Sequence, residues 1–79
     1  MLKLFMEGKA LKFTVQYLNA TVRHSSELDA ESAVAADVSA RIGFRWAQET
    51  HDACCYRVLD EHGAIVFVGP DAHSAAKCN

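Results

Sequence analysis

The run "ALKFTVQYLN" constrains this chain more than any other stretch. Leu11, Phe13, Val15 and Tyr17 alternate with Lys12, Thr14 and Gln16, and a period of two places all four apolar side chains on one face of an extended strand. Such a strand needs neighbours for its edges and an apolar layer for its face. With 79 residues there is room for one domain built on one core. After Tyr17 the apolar positions change parity to Leu18, Ala20 and Val22, as an extra residue or a turn would cause. A bulge near Leu18 and Asn19 is the preferred reading. Ahead of the run, "LKLFM" and "EGK" read as the first arm of a hairpin turning at Gly8.

The covering layer is expected from "SSELDAESAVAADVSARIG", the one stretch with helical marks at both ends. Ser26 with Asp29 three residues on resembles a capping box, and Asp29 is a second cap candidate. Acids crowd the first turns, Arg41 lies in the last, and Gly43 stands at the usual stop position. Val34, Val38 and Ile42 recur every four residues and are expected to face the sheet, so that Val38→Asp should unfold the domain. The alanines would let the helix lie close. Residues 44–50 fit two patterns. Phe44 and Trp46 alternate with Arg45 and Gln48 as in a strand, the preferred reading, while Trp46 would extend the valine row if the helix ran through Gly43.

Two further strands, "ACCYRVLD" and "AIVFVG", flank "EHG", where Gly63 suits a turn that needs positive φ, and Pro70 closes the second. "DAHSAAKCN" is polar and without period. The domain is placed at residues 1–71 and a polar tail at 72–79. The expected fold is α+β, an antiparallel sheet of three to five strands with one helix on one face, in the order β-β-α-(β)-β-β.

Charge and motif chemistry exclude more than they assign. A net charge of −2 is unsuited to neutralising phosphates, so direct nucleic-acid binding is not expected. No apolar run reaches the ~18 residues a bilayer needs. Three cysteines, two of them adjacent, do not form the paired framework of a small secreted domain, and free thiols fit the cytoplasm. On that reading the sequon at Asn19 is incidental. In a strand Cys54 and Cys55 point to opposite faces, so His51, Cys54 and Cys55 are a poor metal or thiol site, and both cysteines are expected to be structural. Cys78, in the tail, is the candidate for an intermolecular disulfide. His24 and His73 lie near element ends and are expected to be solvated. Asp60 and Glu61 are turn neighbours, not carboxylates facing across a cleft, and the four glycines are scattered. No enzyme site and no cofactor are expected.

The acids are the one feature that looks functional. Up to Ser26 four bases meet one acid, whereas Glu27, Asp29, Glu31 and Asp37 follow with no base between them. They read either as a solvated helix face or as a carboxylate array offered to a partner, with Asp52, Asp60 and Glu61 nearby.

In "ELDAESAVAADVSARIG" followed by "YRVLDEHGAIVFVG", roughly half the chain, the layout resembles that of compact phage-encoded proteins, including some anti-CRISPR proteins, in which an alanine-rich helix packs on a small antiparallel sheet. The resemblance is one of layout, and no family residue is carried over. It implies a non-enzymatic inhibitor docking on a nucleic-acid-binding complex, with acids occupying a DNA-binding surface. The readings that stay open are such a protein-binding module using Glu27, Asp29, Glu31 and Asp37, a dimerising regulatory domain using a sheet edge, and a small thiol or metal protein at His51, Cys54 and Cys55.

Overall fold

In the computed structural model, which describes residues 10–70, the alternation starting at Leu11 becomes strand β1 (Leu11–Asn19), with Phe13, Val15 and Tyr17 buried. The parity change comes from burial on the second sheet face and from a turn, not from a bulge at Leu18 and Asn19: Leu18 is buried beside Cys55, apart from the main core, and the chain reverses at Ala20, at φ 69°, to return antiparallel as β2 (Thr21–Ala30). The extra residue of the register shift between Tyr17 and Leu18 falls on β2, at Arg23, while the pairing of β1 with its other neighbour runs through without a break.

Strand β2 occupies the stretch expected to open the helix. Its backbone pairs with β1 from Thr21 to Ala30, and neither Ser26 nor Asp29 is a cap. Helix α1 runs Ala33–His51 and is capped by Ser32, whose hydroxyl accepts from the Ala35 N–H at 3.1 Å. Its first turn holds no acid, so the expected match of acids to the helix dipole is not made. The helix continues through Gly43 and residues 44–50, which are helical, and the optional strand there does not form. It stops where Asp52 takes a left-handed conformation (φ 58°) and its N–H reaches the Ala47 carbonyl. The last hairpin matches expectation: β3 (Cys55–Leu59) and β4 (Ile65–Gly69) pair antiparallel about a turn with Gly63 at φ 84°.

Among the described residues four strands form one antiparallel sheet in the order β2-β1-β3-β4, with one helix connecting β2 to β3, an α+β fold. Among the described residues no helix is long and apolar enough to cross a membrane. The hairpin turning at Gly8 and the tail at 72–79 lie outside the described residues.

The helix meets the sheet with the opposite face from the one its valines suggest. Val34, Val38 and Ile42 are 62%, 50% and 77% exposed, while Ala36, Ala40 and Ala47 are buried. Volume explains the choice. The sheet face already carries Phe13, Val15, Tyr17, Tyr56 and Val58, all buried in one cluster with those alanines. Large side chains on both layers would force the helix away or strain rotamers, so the small residues turn inward and the large ones outward.

Two tyrosines tie the layers together. The Tyr17 hydroxyl donates to the Ala40 carbonyl at 2.9 Å, and the Tyr56 hydroxyl donates to Asp37 Oδ1 at 2.7 Å. Asp37 is buried, and its other oxygen accepts from Arg41 Nε at 3.2 Å. Burial raises the pKa of Tyr17, and burial followed by the bond to Asp37 raises that of Tyr56. The stability these phenols contribute is therefore whole below pH ~10 and declines as pH rises from there toward their raised values.

Each tyrosine needs a glycine. A Cβ on Gly43 would stand 2.6 Å from the Tyr17 hydroxyl, and one on Gly69, opposite Tyr56 in the sheet, would overlap the Tyr56 ring. Gly43 is thus a contact point inside the helix and not its stop. Gly43→Ala should gain ~1 kcal/mol of helix propensity yet lower stability overall, because the Tyr17 hydroxyl must leave the Ala40 carbonyl. Urea denaturation of Gly43→Ala beside Tyr17→Phe/Gly43→Ala checks this: the alanine should cost much less once the hydroxyl is gone.

Candidate interaction surface

Val34, Val38, Ile42 and Trp46 follow one another at intervals of four along α1, and each is at least 48% exposed. The row is roughly 18 Å long at 1.5 Å per residue. Because four residues overshoot one turn by about 40°, the row winds round the helix, from its outer face at Val34 and Val38 to the flank above β2 at Trp46. The core closes without these four side chains, so they form an apolar patch of a few hundred Å², the size that on monomers is often functional.

At its C-terminal end the row joins a ring cluster. His24 of β2 and His51, the last residue of α1, stack at 4.8 Å between centroids, and Trp46 stands edge-on to both, at 5.0 and 4.9 Å. The Tyr17 ring lies 6.3 Å from His24 on the inner side. His24 is therefore partly buried among rings, not solvated as its place near a strand end suggested. The helix end is anchored by Asn19, whose Nδ2 donates to the Asp52 carbonyl at 2.8 Å and to Asp52 Oδ2 at 3.3 Å.

The acids expected to act together are divided. Glu27 and Asp29 sit on β2 opposite Thr14 and Lys12, hence on the sheet face away from the helix, and Asp29 pairs with Lys12 at 3.4 Å. Glu31 is exposed in the bend before α1, and Asp37 is buried in the core bond to Tyr56. Asp37 cannot reach a partner without unfolding the site it closes. Glu27 instead joins Asp60 and Glu61 around a hollow of about 280 Å³ with Gln16, Leu59 and one base, Lys12.

Asp60 is the organiser of that rim. Its Oδ1 accepts from the N–H groups of His62 and Ala64 at 2.8 and 2.9 Å. Those bonds, Ala64 first and then His62, hold its carboxyl below the usual range. A depressed carboxylate stabilises the fold above its unfolded pKa, and the contribution disappears as pH falls through the lower folded value. Asp60→Asn should therefore flatten part of the acid limb of the stability–pH curve, which melting between pH 2 and 7 would show.

His51, Cys54 and Cys55 are not brought together. His51 stacks on His24, while Cys55 is buried beside Leu18 with its Sγ donating to the Leu18 carbonyl at 3.9 Å. Cys54 is exposed and disulfide-bonded, so the expectation of free thiols does not hold for it. Burial pushes the Cys55 thiol up, outweighing the nearby Arg57 charge, which leaves it protonated and unreactive. Among the described residues no group of three or more His, Cys, Asp or Glu could hold a metal ion. Cys78 and His73 lie outside the described residues. Sequence reasoning did not find the Trp46, His24 and His51 cluster. The usable signal was Trp46 falling in step with Val34, Val38 and Ile42.

Comparison with known proteins finds no family model, no curated protein and no solved structure that matches this chain.

Proposed function

We propose that the chain is a non-enzymatic protein-binding module whose contact surface is the outer row of α1, centred on Ile42 and Trp46. One observation carries this reading: the large apolar residues of the helix are outside while its small ones make the core. A half-exposed tryptophan beside aliphatic neighbours is the composition of an interface hot spot. A photo-crosslinking residue placed at Ile42 in the source cell should trap a discrete protein, and the same residue at Gln48, exposed on the other flank of the helix, should not. Equal yields, or none at Ile42, would leave the row as bare surface.

A second reading keeps the acids. Glu27, Asp60 and Glu61 round one hollow, with Lys12 the only base among the described residues that line it, would suit a basic groove, as in an inhibitor that occupies the DNA-binding surface of a nucleic-acid-binding complex. Such binding should weaken as salt rises and be abolished by reversing Glu27 and Glu61 to lysine, which leaves the turn bonds of Asp60 in place. A partner indifferent to both changes would rule it out.

A further inference from the structure

We propose that the partner of this surface is a second copy of the chain, joined by antiparallel pairing of the two β2 edges about Ser25. The inference rests on reading Ile42 and Trp46 as a contact surface and adds its occupant.

Among the described residues β2 is an outer strand, ten residues long, TVRHSSELDA, with no proline or glycine, and Arg23, Ser25, Ser26, Glu27 and Asp29 on it are exposed. Its outer backbone groups are a template for another strand. The opposite edge, β4, has five residues and runs into Pro70, which suits it less.

Charge and the pairs already made within the chain select the register: an axis through Ser26 would set Arg23 against Asp29, which Lys12 already holds. A two-fold axis perpendicular to the sheet through Ser25 sets Ser25 against Ser25, His24 against Ser26 and Arg23 against Glu27 of the second copy. Directly opposed residues share a face, so only registers pairing positions of like parity keep both helices on one side. Arg23 is the residue the register shift leaves without a counterpart on β1. Among the described residues neither Arg23 nor Glu27 has an ion-pair partner in its own chain. Being about 13 Å apart on one strand, they cannot pair with each other. The second copy supplies each with its opposite charge, twice by symmetry. Moving the axis to Glu27 would instead set like charges face to face.

The apolar flank lies where this pairing needs it. Trp46 packs on His24, one residue from the axis, so the two tryptophans approach each other above the joined edges with Ile42 beside them. Strand pairing alone falls short of the ~800 Å² per partner of a stable interface. The half-exposed Trp46 and Ile42 add the apolar area.

The test uses the full chain. Ser25→Cys should give a disulfide-linked dimer under mild oxidation, because strand partners across the axis have Cα atoms about 5 Å apart, whereas Ser26→Cys, at about 8 Å from its equivalent, should not. In sedimentation equilibrium the unmodified chain should be a dimer. Arg23→Glu and Glu27→Arg should each weaken it at least tenfold, and the double swap should restore most of the affinity. A monomer at all concentrations overturns the proposal, as does a dimer untouched by either reversal or cross-linked equally at both cysteines. Crosslinking at Ile42 to a different protein, with the chain monomeric, would defeat this proposal alone and leave the binding-module reading standing.

Discussion

Tyr56→Ala should remove about 3–5 kcal/mol of stability, the range for deleting a fully buried aromatic ring. Tyr56 is 0% exposed, packs edge-on to Tyr17 and tilted to Phe44, and lies over Gly69. Its loss empties the centre of the core and takes the hydroxyl from Asp37, leaving a buried carboxylate with only Arg41 beside it. A domain of this length has a total stability near the lower end of the ~5–15 kcal/mol range, so Tyr56→Ala should be largely unfolded at 25 °C. Tyr56→Phe separates the two effects: it keeps the ring and should cost about 1–3 kcal/mol, the penalty of an unmet buried polar group. Urea titration followed by Trp46 fluorescence gives both values, and equal costs for the two variants would mean that packing of the ring contributes nothing.

Ala40→Phe should be nearly as damaging, at about 3 kcal/mol or more, the upper end for overpacking. Ala40 is 1% exposed, and its carbonyl is held by the Tyr17 hydroxyl. The sheet side chains beneath it leave no space for a ring, so the helix must lift, breaking both tyrosine contacts at once. The same change at Ser39, one residue along and exposed, should cost less than ~0.5 kcal/mol. A melting curve for each variant decides the matter.

How far the sequence speaks depends on which force each residue reports. Strands β1, β3 and β4 were legible because their inward residues are large and alternate, or are β-branched and aromatic about a glycine turn. Strand β2 was not, because an edge strand with one helix-covered face can be polar almost throughout: Arg23, Ser25, Ser26, Glu27 and Asp29 need only backbone pairing with β1. Its serines and acids imitate a helix start, while the true cap, Ser32, lacks the Glu or Gln partner three residues on that marks a capping box. The helix itself was legible, but not its inner face, since Val34, Val38, Ile42 and the alanine set Ala36, Ala40, Ala47 both recur at helical spacing. Hydrophobicity favours the valines. Only the volumes across the layer boundary favour the alanines, and those depend on which strands lie beneath. The same blindness hid the candidate surface, because a row taken for core is not sought on the outside. The acids were misplaced for a related reason: Asp37 is one of four by composition, but its position on the helix carries it under Tyr56.

The outward placement of the valine row is the claim on which the functional reading stands, and the thermal melt of Val38→Asp in dilute solution tests it most directly. Valine and aspartate have similar helix propensities, and Val38 is half exposed. The account predicts a melting temperature within about 4 °C of the unmodified chain, corresponding to ~0.5 kcal/mol or less. An unfolded Val38→Asp, or one lowered by the several kcal/mol that an unpaired charge in a core costs, would place the row against the sheet and contradict the account.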